Sequence, residues 1–234
     1  MMGRLLNVGG FTPFTATDYP GQLSAVVFVQ GCAWRCGYCH NPHLQPRPAD
    51  SALDWRALLA LLERRKGLLD AVVFSGGEPT TDAALPDAML QVRELGFKVG
   101  LHTACIYPDR LQAALPYADW VGFDVKAPFA DYEAVTGVPG SGTPARACVA
   151  AILASGVDYE CRTTVHPALL SPAALLTMAD ELSALGVRRW VVQQFRPQGC
   201  GDGKLRLATG TPYPTDELLA EIRTRFDDVL VRRA

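Results

Sequence analysis

No uninterrupted apolar run in this sequence approaches the ~18 residues that a membrane-crossing helix needs, so no spanning segment is expected. Charge of one sign is lacking too. A formal net charge of −2 leaves no global basic field to draw the protein to nucleic acid or to an anionic membrane. The opening "MMGRLLNVGGFTPF" carries one Arg and a Leu pair followed closely by glycines, too weak for the apolar core of a secretory signal. The expected compartment is therefore the cytoplasm, where thiols stay reduced. Seven cysteines form an odd set with no paired framework, which excludes a disulfide scaffold. Internal repeats, low-complexity tracts and long linkers are absent as well, so residues 1–234 read as a single domain. Hydrophobic residues at 49% and charged residues at 20% are an ordinary globular composition, with enough chain for one sizeable core.

What is present is an alternation. Short β-branched apolar runs at 23–30, 70–75, 97–103, 119–126, 157–165 and 188–195 read as buried strands. Helical patterns lie between them at 51–67, 82–95, from about Pro108, at 143–155 and at 171–185, with another at 215–226. Ser51 and Asp54 suit the start of the first helix, and Gly96, Gly156 and Gly186 suit helix ends. Residues 1–22 read as a lead-in, 23–195 as six strand–helix units, and 196–234 as a loop, a helix and a short terminal strand, "DVLVRR". Strict alternation implies a parallel sheet with right-handed crossovers. A closed eight-unit barrel takes about 250 residues, so six units predict a partial, open (β/α)6 TIM-like barrel. A flat doubly wound sheet shares the same periodicity.

In either architecture ligands bind at the carboxyl ends of the strands. The out-of-place polar residues gather there. "GCAWRCGYCHNP" (31–42) follows the first strand and "GGEP" (76–79) the second; His102 and Thr103 end the third, Asp124 and Lys126 the fourth. Arg162 and His166 fall on or after the fifth, and Gln194 and Arg196 at the sixth. Cys32, Cys36 and Cys39 on one loop suit three corners of a [4Fe–4S] cubane, leaving the fourth iron for a small molecule. A Cys3His zinc site completed by His40 or His43 is the alternative, although Cys39 and His40 are adjacent and neighbours seldom converge on one tetrahedral centre. Unliganded cysteines are a third reading. Gly76 and Gly77 let a ligand approach the backbone, Glu78 suits an ammonium group, and Asp124 and Lys126 alternate with apolar neighbours so that both can face one side as an ion pair.

The C-x3-C-x2-C spacing with Tyr38 before the last cysteine resembles the radical S-adenosylmethionine superfamily signature, and "GGEP" resembles its methionine-binding motif. "DYPG" (18–21), "FDVKAP" (123–128), "YEAVTG" (132–137), "RTTV" (162–165) and "QQFRP" (193–197) are similar to the glycyl-radical-enzyme activases, in particular those serving anaerobic ribonucleoside-triphosphate reductase. The resemblance runs from about residue 8 to 200. It implies an oxidoreductase of the radical S-adenosylmethionine type, with a [4Fe–4S] cluster and S-adenosylmethionine as cofactors and a partial barrel as its fold. It implies reductive cleavage to a 5′-deoxyadenosyl radical, which takes hydrogen from a glycine of a partner enzyme, and a flavodoxin- or ferredoxin-like electron donor.

Carried over by position, Cys32, Cys36 and Cys39 are the metal ligands around which the chemistry occurs, with Lys126 a further catalytic candidate. Tyr38, Gly76, Gly77, Glu78, His102, Thr103, Asp124, Lys126, Arg162 and His166 are the implied cofactor-binding residues, and Asp18 the implied partner contact. One departure stands out. Activases usually end the third strand with Asp-Thr-Asn-Gly, where the formate-lyase activase uses the aspartate to help hold a monovalent cation; this chain has His102-Thr103-Ala104-Cys105. A compact enzyme of the 7-carboxy-7-deazaguanine synthase type is the nearest rival, and a non-enzymatic zinc module a more distant one. Cys148 and Cys161 read as small core hydrophobes. Cys105 and Cys200 fall nearer the active rim, and the loop 196–214 is a candidate partner contact.

Overall fold

The computed structural model describes residues 5–207 and 213–233. An eight-stranded sheet runs in chain order: β1 (Val8–Thr15), β2 (Ser24–Val29), β3 (Ala71–Gly76), β4 (Lys98–Thr103), β5 (Trp120–Asp124), β6 (Asp158–Val165), β7 (Arg189–Gln194) and β8 (Asp228–Arg232). β1 is antiparallel to β2; the other neighbouring pairs are parallel. β1 and β8 do not pair with each other, so the barrel is open. The crossovers carry α1 (Trp55–Glu63), α2 (Leu85–Glu94), α3 (Pro108–Ala114), α4 (Tyr132–Thr136), α5 (Gly142–Ser155), α6 (Pro172–Leu185), α7 (Gly203–Leu207) and α8 (Asp216–Arg223). Among the described residues no helix is long and apolar enough to cross a membrane. Part of the loop 196–214, residues 208–212, lies outside the described residues.

The lead-in holds a strand that apolar periodicity does not announce. β1 reads VGGFTPFT, its strand formers interrupted by Gly9, Gly10 and Pro13. It survives as an edge strand, and Pro13 lies where the β1–β2 register shifts, a position at which a missing ladder N–H costs least. Ser51, expected at the helix start, instead receives the Val8 N–H at 2.7 Å and donates nearby, pinning the beginning of β1. Asp54 caps α1 by accepting from the Arg56 N–H at 3.0 Å.

Alternation along the strands divides the core in two. Val27, Phe74, Leu101, Phe123 and Val192 join helix residues such as Leu62, Met89, Leu111, Ile152 and Met178 in the large outer cluster. The inner face has a small apolar layer of Tyr19, Val26, Ala71, Val73 and Trp120. Tyr19 comes from the tip joining β1 to β2 and stacks on Trp120 at 5.1 Å. Gly100 makes room for it, since a side-chain carbon there would lie 3.1 Å from the Tyr19 ring. The tip thus fills the barrel interior near the strand beginnings, and polar residues occupy the layer above.

Asp82, fully buried just after β3, accepts from the Asn7 N–H at 2.9 Å, the Ala84 N–H at 3.0 Å and Arg47 at 2.9 Å. It joins the entry to β1, the loop after β2 and the turn after β3. Burial opposes its charge, but these donors outweigh burial and hold the carboxyl below its usual range. The stabilisation is complete above the unfolded-state value and fades as pH falls through the lower folded-state value. Asp82→Asn is expected to cost about 2–3 kcal/mol at neutral pH. The gap between variant and parent should narrow in acid, as urea unfolding at pH 7 and at pH 3 would show.

Candidate functional site

A cavity of about 250 Å³ opens at the carboxyl ends of the strands. Cys32, Cys36 and Cys39 line it, with Tyr38, Gly76, Gly77, His102, Thr103, Asp124, Lys126 and Arg162. These come from the loop after β2 and from the ends of β3, β4, β5 and β6. Residues far apart in the chain converge because each stands at or just past the end of a neighbouring parallel strand, or, as Arg162 does beside Asp124, in register with that end.

The cysteine loop is held by backbone. Gly31 N–H donates to Leu44 O at 2.8 Å and Cys32 N–H to Gln45 O at 3.0 Å, so the loop folds back on the turn at 42–44. Gly77 N–H donates to Val29 O at 3.0 Å and Glu78 N–H to Gly31 O at 2.8 Å, so the turn after β3 is bonded to the residues preceding Cys32. The two glycines serve this contact. A side-chain carbon at Gly76, whose φ is +131°, would lie 2.3 Å from Val29 O, and one at Gly77 would lie 2.4 Å from Gly31 O. The close approach is between two backbones of the protein, whatever a ligand then does with the exposed side of the turn.

Glu78 does not line the cavity. It is fully buried, and its carboxylate accepts from Thr80 N–H and hydroxyl, the Thr103 hydroxyl and the Ala104 N–H, at 3.1, 2.5, 2.9 and 2.6 Å. It joins the β3 turn to the end of β4 beneath the cavity wall. His166 is also buried away from the cavity, donating from Nε2 to Leu205 O at 3.1 Å and accepting the Ala168 N–H at Nδ1. Asp18 is outside the cavity lining as well; its carboxylate accepts from the Thr15 hydroxyl at 2.7 Å. Its backbone is nevertheless tied to the site, because His102 Nε2 donates to Asp18 O at 2.7 Å.

Asp124 and Lys126 do form an ion pair, at 2.9 Å, with Lys126 almost wholly buried. Burial works against the ammonium, but the Asp124 carboxylate keeps it charged, its pKa raised well above the ordinary lysine value. The ammonium also lies 5.5 Å from the centre of the buried Tyr38 ring, within cation–π range. The thiols are in the opposite situation. Burial pushes Cys32 up to about 12, with the Glu78 carboxylate adding to it, and burial raises Cys36 despite Lys126. Metal loading therefore releases protons from these thiols.

Among the described residues no three His, Cys, Asp or Glu side chains sit close enough to hold a single metal ion. Three thiols lining one wall without meeting at a point fit a group with several metal centres, each taking one thiolate. They do not fit one tetrahedral zinc. His40 is engaged elsewhere, donating from Nε2 to Arg196 O at 2.9 Å and stacking on Phe195.

Several lining residues escape sequence reasoning. Gln193, not Gln194, faces the cavity, because Thr164↔Gln193 and Arg162↔Val191 are paired neighbours and side chains alternate along β7. Extending the inward set from Arg162 across the register identifies it. Cys105, Cys148, Cys161 and Cys200 are all buried. Cys200 lies under the loop at 196–202, its thiol 3.6 Å from Gly37 O.

Gly77→Ala is expected to lower stability by about 1–3 kcal/mol, since the added carbon meets immovable backbone. It should also reduce the iron retained after anaerobic reconstitution. Gly201→Ala, where an added carbon meets nothing within 4 Å, is the control. Thermal unfolding and iron analysis of the two variants check this.

Residues 26–170 match the Radical SAM superfamily. A putative glycyl-radical enzyme activating enzyme of Methanocaldococcus jannaschii is 26% identical over 252 residues, covering 96% of this chain and 95% of that protein. The pyruvate formate-lyase-activating enzyme of Clostridium pasteurianum is 32% identical over 146 residues, 58% of each chain. Among solved structures, SuiB of Streptococcus suis bound to precursor peptide SuiA superposes with a TM-score of 0.64 at 14% identity, over 88% of this chain and 48% of SuiB. The chain spans about half the length of SuiB, and that likeness is one of fold. On the match over residues 26–170, with three cysteines and the strand-end residues lining one cavity of an open barrel, the chain belongs to the Radical SAM superfamily.

Proposed function

We propose that this chain is an activase that installs a radical on a glycine of a partner enzyme, the anaerobic ribonucleoside-triphosphate reductase. The observation that carries the activase reading is the match to the M. jannaschii activating enzyme across 96% of this chain. That span includes the β1–β2 tip, which His102 ties to the cavity. The choice of reductase as partner is supported by the order of the motifs from "DYPG" to "QQFRP".

Cys32, Cys36 and Cys39 would hold a [4Fe–4S] cluster, and S-adenosylmethionine would bind beside it. When bound, this pair supplies a one-electron reductive cleavage that yields methionine and a 5′-deoxyadenosyl radical able to take hydrogen from a C–H bond. The rest falls to side chains of this chain. The exposed side of the Gly76–Gly77 turn offers backbone groups to the amino-acid end of the cofactor. Lys126, kept charged by Asp124, supplies a fixed cation at the wall, and the buried Tyr38 ring gives adenine an apolar surface. Buried Trp34 and Tyr38 line the cavity and keep water from the reacting centre. Asp18, held through its carbonyl by His102, stands beside the cavity where a partner's glycine loop would enter.

Anaerobic reconstitution is expected to give a coloured protein carrying iron and sulfide; a colourless zinc protein would refute the cluster reading. Cys36→Ala should lose cluster and cofactor cleavage together, as absorbance and 5′-deoxyadenosine release would show. Incubation with S-adenosylmethionine, a reductant and the reductase should produce a glycyl-radical EPR doublet. Cofactor cleavage with no doublet would remove the reductase as partner while leaving the enzyme class in place.

A further inference from the structure

The far rim of the cavity holds two polar side chains that the cysteine loop and the Lys126–Asp124 pair do not engage. Thr164 on β6 and Gln193 on β7 are register partners, and both line the cavity. Among the described residues neither side chain has a hydrogen-bond partner. The fully buried unpaired side-chain atoms are Asn7 Oδ1 and Ser24 Oγ, so the Gln193 amide and the Thr164 hydroxyl keep contact with the cavity. Thr163, turned to the other face, shows the contrast: its hydroxyl donates to Val125 O at 2.7 Å and accepts from Trp190 Nε1 at 2.9 Å. One layer deeper, at the floor of the cavity, charged groups are turned on one another. Arg162 Nε donates to Glu160 Oε1 at 2.7 Å, and Arg232 donates to both oxygens of that carboxylate at 2.7 and 2.8 Å. Two guanidinium groups thus share one carboxylate. Arg232 is the register partner of Gln193, yet both its terminal nitrogens are engaged by Glu160, and the amide beside it is left open.

The open pair carries no charge, and that selects its ligand. A glutamine amide offers a donor and an acceptor side by side, and a threonine hydroxyl offers both as well. In an extended segment the N–H and C=O of one residue point to the same side, as they do in a strand ladder, so an amide can pair with both at once. A phosphate, carboxylate or ammonium group calls for an opposite charge instead. The proposed target sharpens the match. Glycine has no side chain, so a segment presenting its Cα can be held at that point only through its own backbone groups. The location fits as well: β7 stands one strand from β8, an edge of the open sheet, while the cysteine loop and Lys126 follow β2 and β5.

We propose that Gln193, supported by Thr164, is a peptide-backbone subsite that pairs with the N–H and C=O of the target glycine or of its immediate neighbour. It fixes the register in which an extended segment enters the cavity, and it reads backbone rather than side chain. The proposal deepens the function above and rests on that reading for a polypeptide as the substrate.

The test compares reconstituted wild type with Gln193→Leu and Thr164→Val, with S-adenosylmethionine present and no reductant, so that binding is read apart from turnover. The probes are short fluorescent peptides centred on the radical glycine of the reductase. One is natural; the others are methylated in turn at the nitrogen of the glycine and of each neighbour. Peptide binding is followed by anisotropy and cofactor affinity by equilibrium dialysis. Wild type is expected to bind the natural peptide about tenfold more tightly than one of the methylated forms. Gln193→Leu should bind the natural peptide about tenfold more weakly and lose that discrimination, and Thr164→Val should weaken binding about threefold. With iron and sulfide contents equal to wild type, S-adenosylmethionine affinity is expected to stay within about twofold. Discrimination that persists in Gln193→Leu would overturn the proposal. So would a loss of cofactor affinity as large as the loss of peptide affinity, which would assign the pair to the cofactor. A wild type that binds neither the peptide nor the intact reductase would remove the reductase reading itself, before any variant is compared, and the subsite with it.

Discussion

Glu78 carries the geometry of the site although it never reaches the cavity. Its N–H holds Gly31 O, one residue before Cys32, and its carboxylate collects four donors from Thr80, Thr103 and Ala104. One buried residue thereby fixes the cysteine loop, the turn after β3 and the end of β4 relative to one another. Burial raises its pKa, and the four hydrogen bonds oppose that rise. An alanine there would orphan several buried donors at once, each costly in a low-dielectric interior. The glycines beside it follow from the same constraint: the β3 turn lies so close to the cysteine loop that no side chain fits between them.

Much of this was legible from residue pattern. The six strand–helix units, the open barrel and the convergence of strand-end polar groups all follow from alternation plus the rule that ligands sit at carboxyl ends. β1 was not, because Gly9, Gly10 and Pro13 are weak strand signals and pairing with β2 overrides them. Glu78 and His166 show the other limit. A polar residue at a strand end has two destinations, the ligand or the protein's own unsatisfied donors, and spacing does not distinguish them. Only the neighbours do: Thr80, Thr103 and Ala104 for Glu78, and Leu205 and Ala168 for His166. Glu160 and Arg232 escaped notice because their partners are two and seventy-two residues away, and one of them lies on the terminal strand.

The two halves of the cavity use charge differently. At the upper wall Lys126 and Asp124 neutralise each other, so that wall contributes direction without net charge. At the floor the count is unequal, and Trp120 is the common surface on which the pieces rest: Tyr19 stacks on it, His102 meets its edge, and Arg162 lies against its ring. An aromatic ring suits this place because it tolerates a cation on its face, packs an apolar ring beside it and needs no counter-charge of its own.

That floor also explains how His102 works at the end of β4. Burial and the charges of Arg162 and Arg232 keep His102 neutral well below its ordinary titration range, so Nε2–H remains a donor to Asp18 O at any pH near neutrality. A charged imidazole would add to an existing positive surplus, and a neutral one does not. The consequence for stability has a definite sign. Below the unfolded-state value near 6.5 the unfolded chain takes up a proton that folded His102 refuses, so stability falls with pH through this group. Asp82 adds a further loss at lower pH, as its stabilised carboxylate is finally protonated. The tie between cavity and β1–β2 tip is therefore insensitive to pH where the protein is stable, and the acid cost of keeping it so falls on the fold as a whole.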